Sequence, residues 1–547
     1  MANTVCSVPP AVSITFISRI IALSDAERFN LPIYAQKYTR KQADKTRACR
    51  RVNFVSSINK NTSPNTLYLI ILRNWLLRNA KSIFSGGYFK NGLIEREQNV
   101  ILLTNKYGGK VQMKHETFHY STWQEVLSAC TDFDAFLPFS ENTEALFKPL
   151  SIGAHTSQNR IAFQPMEGTD GTIDGAPGEL TKRRYIRFAE GGAGLIWFEA
   201  VASAPEVRAS AHQLYLTDKN IDAFKKLVEE IKNAGLKKNG YAPVVIMQAT
   251  NSGRYSKPNG YPEPVIAYNN PVLEDTPIDD NRILSDDQLK AYEEKFADLS
   301  RLSQEAGFDG MDVKCCHRYL ANELLSAYTR EGMYGGCFEN RTRFIMNAYA
   351  WAASEIKTPS FFLTSRLNAY DGFVYPWGFG VKDGDGITPN MDEAIRLISM
   401  IKEKYNIPLI NITIGNPYKN PHVNRPYDRG NYVPDEHPLF GESRMMKCVS
   451  EIQNAHPDLP VIGSAFSYLR NFSPNLAAGM IEGGHCSMAG FGRLAFAYPD
   501  FVNDLKNNGC LDPKKVCIAC GQCASLLRAG SPAGCVVRDR EIYKPLS

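Results

Sequence analysis

Lys314, His317 and Tyr319 lie close together in the stretch Gly307-Phe308-Asp309-Gly310-Met311-Asp312-Val313-Lys314-Cys315-Cys316-His317-Arg318-Tyr319-Leu320. An ammonium, an imidazole and a phenol are groups that can donate hydrogen bonds or move protons, and at the end of one strand the three can converge. The stretch reads as a strand running into its loop, with Asp312 and Lys314 on one face and Met311 and Val313 on the other. The same residues also admit a structural reading, in which Asp312 neutralises Lys314 while His317 and Tyr319 satisfy backbone groups.

A second constellation is Cys517-Ile518-Ala519-Cys520-Gly521-Gln522-Cys523, followed by Cys535. Four thiolates at these spacings suit an iron-sulfur centre, and four-cysteine sites also suit zinc. Disulfides fit a large chain without secretory features poorly. The other nine of the 13 cysteines are scattered, and Cys315 and Cys316 read as packing residues.

Two further groups are candidates for ligand contacts at strand ends. Arg366 follows the apolar run 361–363, which places a cation at the end of an interior strand, a surface salt bridge being the plainer alternative. Gly463-Ser464 and Gly490-Phe491-Gly492-Arg493 combine glycine-exposed amides with a guanidinium, as in a phosphate cradle. A merely structural turn at Gly463 stays open.

The elements that must position these residues alternate. Apolar, β-rich runs at 160–166, 194–203, 243–250, 310–316, 360–367, 409–415, 460–465 and 485–491 are separated by amphipathic stretches. Helices are expected at 219–234, 285–306, 338–356, 391–405 and 442–455. Eight such units predict an α/β fold, a (β/α)8 TIM barrel over 145–509, with its site at the C-terminal ends of the strands. A short lead-in at 113–144 and a cysteine-bearing extension at 510–547 flank it.

The chain has 547 residues and a net charge of +5 that hides an asymmetry: residues 1–112 carry 17 Lys and Arg against 5 Asp and Glu, the remainder 45 against 52. That first segment shows no alternation of elements. It reads as a disordered segment or a mis-assigned start, with Met113, shortly after Gly108-Gly109-Lys110, as the expected natural start. A basic arm for nucleic acid or an anionic surface is the competing reading. No apolar run reaches the roughly 20 residues that cross a bilayer, so a cytoplasmic chain without membrane or nucleic-acid partners is expected.

The stretch around Lys314, with Tyr334-Gly335-Gly336 and Glu339-Asn340-Arg341-Thr342-Arg343-Phe344, resembles the signature of the old yellow enzyme and 2,4-dienoyl-CoA reductase family. So do Leu146-Phe147-Lys148-Pro149-Leu150 and Asn159-Arg160-Ile161 leading to Pro165-Met166. The resemblance covers about 145–540 and implies FMN across the barrel mouth, reduced by NADH or NADPH, passing hydride to an activated alkene. It implies that Lys314 and His317 donate to the substrate oxygen and that Tyr319 protonates the neighbouring carbon. It also implies that Gln248 meets the flavin pyrimidine edge, that Arg366 faces flavin N1, and that Pro165, Met166, Glu167, Gly463, Ser464, Gly492 and Arg493 contact the cofactor.

Three departures matter. Lys314 stands where the family usually has His, and a fixed cation favours an anionic or strongly polarised substrate oxygen. Glu167 stands where relatives commonly have Thr or Cys, so it must be protonated, paired or turned toward the substrate. Strand seven reads Gly463-Ser464-Ala465-Phe466 in place of a glycine pair.

The cysteines resemble the 4Fe-4S site of the dienoyl-CoA reductase branch, with one residue fewer between the second and third. That branch normally continues into a second flavin and nicotinamide domain, whereas this sequence ends at Ser547. The expectation is that NADH or NADPH reduces FMN directly, or that a partner protein delivers electrons to the cluster. Two other readings stay open: a dehydrogenase or demethylase sending electrons outward, and a flavin-holding protein without turnover. The oligomeric state is open.

Overall fold

A computed structural model describes residues 114–547. The basic segment 1–112 and the expected start at Met113 lie outside the described residues.

The sheet is a ring of parallel strands: β3 (Ile161–Phe163), β4 (Leu195–Ala202), β5 (Val244–Thr250), β6 (Gly310–Val313), β7 (Phe362–Thr364), β8 (Arg366–Asn368), β9 (Ile410–Thr413), β10 (Val461–Gly463) and β11 (Met488–Phe491). A short antiparallel hairpin, β1 (Leu150–Ile152) and β2 (His155–Ser157), precedes it. The strand order is β7-β6-β5-β4-β3-β11-β10-β9-β8.

The expected eight strands become nine because the fifth is interrupted at Ser365. β7 pairs with β6 and β8 with β9, and a single bridge from Cys315 to Leu367 closes the ring between them. The Ser365 hydroxyl donates to the Val313 carbonyl at 2.5 Å, and the Arg366 N–H donates to Asp312 Oδ1 at 2.7 Å. The break therefore substitutes side-chain bonds for ladder bonds and keeps Arg366 at the mouth.

Alternation along the strands fills the barrel. Leu195, Trp197, Val244 and Ile246 join Ala162, Ile462, Met488 and Ile152 of the hairpin in one buried cluster, so the barrel is a packed core with its lower end covered. The opposite faces, including Phe163, Ile196, Phe198, Val245 and Met247, meet the surrounding helices in the main core.

Helix Asp286–Glu305 shows how the local sequence defines an element. Ser285 Oγ accepts from the Gln288 N–H at 3.3 Å and Gln288 Oε1 from the Ser285 N–H at 2.8 Å, a reciprocal cap. Leu289, Phe296, Leu299 and Leu302 form its buried stripe, and Gly307 (φ +86°) turns the chain into β6.

The expected helix at 338–356 divides into Phe338–Arg341 and Arg343–Ser354, and the one at 442–455 begins earlier, as Pro438–Ala455. The lead-in contributes helix Trp123–Phe133 and is no separate appendage, since Phe118, Val126, Cys130 and Leu137 lie in the main core.

Candidate active site

A cavity of about 140 Å³ opens at the C-terminal ends of the strands. Of the residues singled out in the sequence, Pro165, Met166, Glu167, Lys314, His317, Tyr319, Arg366, Ser464, Gly492 and Arg493 line it. Gln248 and Gly463 do not. Gln248 Nε2 donates to Asp312 Oδ2 at 2.6 Å within the barrel, and Gly463 packs beneath Phe466, whose ring stands 3.3 Å from where a Cβ would project.

The loop after β6 delivers the central trio. His317 and Arg318 both adopt left-handed backbone, φ +64° and +62°, a conformation disfavoured for side-chain-bearing residues that the surroundings must hold in place. The fully buried Arg318 supplies the anchor: its guanidinium donates to Asp371 at 2.8 Å, to the Tyr268 hydroxyl at 3.2 Å and to Ser326, while its N–H donates to Asn322 Oδ1 at 2.6 Å.

Glu167 is the hub. Tyr319 Oη donates to Glu167 Oε1 at 2.9 Å and Lys314 Nζ lies 3.3 Å from the same oxygen. Lys314 Nζ also sits 3.7 Å over the Tyr319 ring. The partner of Lys314 is thus Glu167, and the Asp312–Lys314 pair weighed from the sequence is replaced. Asp312 is instead held by Trp197 Nε1 at 2.7 Å, by Gln248 and by the Arg366 N–H. Burial nevertheless pushes its carboxyl up to about 6.

Tyr418 Oη lies 3.0 Å from Tyr319 Oη and its ring stacks on Tyr255 at 3.8 Å. Burial, then the Glu167 charge, raises the Tyr319 phenol far above its ordinary range. Burial, then the cations Arg366, Lys314 and Arg425, lowers His317 well below the usual imidazole value. Tyr319 therefore keeps its proton and His317 stays neutral across the physiological range.

The cations face inward. Among the described residues, Arg366 Nε and Arg493 Nη2 are buried without a hydrogen-bond partner, although Arg493 Nη1 donates to the Pro426 carbonyl at 2.8 Å. Arg425 and Arg528 line the same cavity, and burial, then Arg493, lowers Arg425 to about 10. A Cβ on Gly490 would fall 1.9 Å from Gln164 Nε2 and 2.8 Å from the Gly463 carbonyl oxygen, so a side chain there would force both to shift. Ala465 holds the left-handed conformation, φ +79°, at the position where the sequence departs from a glycine pair.

Gln164, Asn411, Tyr418, Arg425 and Arg528 were not singled out in the sequence. Gln164 and Asn411 exchange amide hydrogen bonds of 3.2 and 2.7 Å inside the barrel. A polar residue inside an apolar strand was the available signal for Asn411. Tyr418, Arg425 and Arg528 sit on loops and a short helix, where no period marks a facing direction.

Cys517, Cys520, Cys523 and Cys535 line a second, smaller cavity of about 20 Å³. All four are free thiols. Among the described residues no group of three or more His, Cys, Asp or Glu side chains is arranged to hold a metal ion. The N–H groups of Ala519 and Arg538 point at the sulfurs of Cys517 and Cys535, at 3.4 and 3.3 Å. Cys523, Arg493 and Phe496 border both cavities. Among the described residues no helix is long and apolar enough to cross a membrane.

Comparison with known proteins agrees with this architecture. Residues 145–368 match the NADH:flavin oxidoreductase / NADH oxidase family. An NADPH dehydrogenase of Bacillus pumilus is 34% identical over 211 residues, 37% of this chain and 57% of that protein. The chain thus spans rather more than half the length of that relative. Among solved structures, a 2-naphthoyl-CoA reductase complex superposes with a TM-score of 0.59 at 20% identity over 73% of this chain and 57% of that one. A morphinone reductase in complex with tetrahydroNAD superposes with 0.51 at 19% over 72% of this chain and 96% of that one. Residues 145–368 thus match the NADH:flavin oxidoreductase / NADH oxidase family, and the barrel shares its fold with these solved structures.

Proposed function

We propose that the chain is an FMN-dependent oxidoreductase that passes hydride from NADH or NADPH to an electron-poor, α,β-unsaturated double bond of a small molecule. The observation that carries this reading is the convergence of Lys314, His317, Tyr319, Arg366 and Arg493 on one cavity at the C-terminal ends of the barrel strands. The residues present fit FMN: the unpartnered Arg493 Nη2, lining the cavity beside Gly490 and Gly492, suits a phosphate, and the unpartnered Arg366 Nε suits an electron-rich ring edge. Gln248 is already engaged by Asp312, so its part in holding a flavin is left out of this reading. When bound, FMN supplies two-electron hydride chemistry.

The chain's own groups do the rest. Lys314 and the neutral His317 polarise the substrate oxygen, and Tyr319 holds a proton at Oη, 2.9 Å from Glu167. Because Glu167 already draws on Lys314 and Tyr319, a substrate oxygen competes with that carboxylate for both donors, which favours a strongly polarised or anionic oxygen over a weakly polar one.

The four cysteines are the proposed ligands of a 4Fe-4S cluster. Support comes from four free thiols around one cavity, from N–H groups directed at two of the sulfurs, and from Cys523 standing between that cavity and the active site. A redox-active centre has a use beside a flavin that a zinc ion does not. The Cys523 wall also favours a second reading, a dehydrogenase sending electrons outward through the cluster to a partner protein.

The test is the visible spectrum and iron content of the anaerobically purified protein, before and after NADH or NADPH. Flavin bands that bleach, with stoichiometric iron, are expected. Flavin and iron without bleaching would favour outward flow, and absence of flavin would overturn the proposal.

A further inference from the structure

Glu199 lies at an irregularity in β4, where the register against β5 shifts between Phe198 and Ala200. Its side chain is 2% exposed and turned toward the loop that carries Glu167. Glu199 Oε2 accepts the Gly168 N–H at 2.7 Å and Oε1 accepts from Arg184 Nη2 at 2.5 Å. Arg184 reaches on to Asp170 at 2.6 and 3.0 Å, so one buried guanidinium ties both ends of the loop together.

The carbonyl of Gly168, in the following peptide unit, is held from far along the chain. The Ala533 N–H, two residues before Cys535, donates to the Gly168 carbonyl at 2.7 Å. The cysteine-bearing segment grips helix Glu179–Glu190 as well: Asp539 pairs with Arg183 at 2.7 Å and with Arg187 at 2.8 Å, while Leu180 packs against Leu526, Val536 and Tyr543. A Cβ on Gly168 would stand 2.1 Å from Arg184 Nη2, so a side chain there would displace the guanidinium that holds Glu199 and Asp170, and Thr169 beside it takes φ +51°. A residue held at both its N–H and its carbonyl leaves the preceding residue, Glu167, little freedom.

We propose that Glu199 is a positioning residue: with Ala533 of the four-cysteine segment it clamps Gly168 on both sides of its Cα and so fixes Glu167 against Lys314 and Tyr319. The clamp makes the cysteine segment a structural part of the active site, in addition to any electron-transfer role. This inference rests on the proposed oxidoreductase reading, in which Glu167 faces the reacting groups. Small displacements of such a group cost rate steeply.

The test uses the flavin-loaded, full-length protein. Glu199→Gln keeps an oxygen for the Gly168 N–H and leaves Arg184 its bonds to Asp170, whereas Glu199→Ala removes the acceptor. The clamp predicts that Glu199→Ala lowers kcat by about tenfold to a hundredfold at unchanged flavin content, that Glu199→Gln recovers most of the loss, and that Glu199→Ala costs nothing further in a Glu167→Gln background. Losses that simply multiply in the double variant overturn the clamp. Hydrogen exchange of the unaltered protein adds a readout that needs neither a stable variant nor turnover: a strongly protected Gly168 amide supports the clamp, and rapid exchange there overturns it. A wild-type protein without flavin or turnover, but with that amide protected, would refute the oxidoreductase reading while leaving the clamp standing.

Discussion

Replacing Tyr319 by Phe separates the proton from everything else the residue does. The ring remains, and with it the cation–π contact to Lys314 Nζ at 3.7 Å, so the lysine keeps its seat. The hydroxyl's two contacts disappear, one to the Glu167 carboxylate at 2.9 Å and one to Tyr418 at 3.0 Å. A hydrogen bond to a charged group contributes about 1.5–3 kcal/mol and a neutral one about 1 kcal/mol, which places the stability loss at about 2–4 kcal/mol. Lys314 still pairs with Glu167, which keeps the carboxylate from being stranded. On the chemistry, loss of a positioned proton donor costs roughly 10²- to 10⁴-fold, about 3–5 kcal/mol in barrier. The assay is stopped-flow absorbance on the two half-reactions. Reduction of the flavin by NADPH should stay within a few-fold of wild type, while reoxidation by an α,β-unsaturated acceptor should fall by the full factor. Equal losses in both half-reactions, or unchanged reoxidation, would refute the assignment of the proton to Tyr319.

Glu442 is fully buried, both its oxygens lack a hydrogen-bond partner among the described residues, and burial raises its carboxyl to about 8. A folded-state value above the unfolded one stabilises the fold below the unfolded value, and that contribution is lost as pH rises through about 8. Glu442→Gln should therefore match wild type in denaturant melts near pH 4.5 and exceed it by up to about 5 kcal/mol above pH 8; equal stability at both pH values would contradict the burial argument. His317, lowered by burial and three cations, should show no imidazole titration between pH 6 and 8 in NMR spectra of the protein, and His317→Asn should leave the shape of the pH–rate profile intact over that range. Cys535→Ser should remove iron and keep the flavin, measured by metal analysis and visible absorbance, whereas loss of both would mean that the cysteine segment chiefly holds the barrel mouth together.

Much of the barrel was legible because its signals are local and periodic. The run 310–316 alternates apolar and polar side chains and ends where a loop must begin, so Lys314, His317 and Tyr319 could be assigned to a strand end before any contact was known. The division of the fifth strand at Ser365 was not legible: 360–367 reads as one continuous run, and the interruption follows from hydrogen bonds that Ser365 and Arg366 make to Val313 and Asp312 on the neighbouring strand. Gln248 shows the same limit. Its position in β5 follows from pattern, but its engagement by Asp312 depends on the register between β5 and β6, which pairs the two residues side by side.

The amino-acid sequence by itself determined the barrel class, the strand end that bears Lys314, His317 and Tyr319, and the four cysteines as one group, because periodicity and spacing act over a few residues. Only the tertiary structure decided which charge meets which. Lys314 pairs with Glu167, 147 positions away, and Gly168 is held between Glu199 and Ala533. Charge interactions act through space, so a charged side chain pairs with whichever opposite charge the closed barrel brings within reach, and separation along the chain carries no record of that choice.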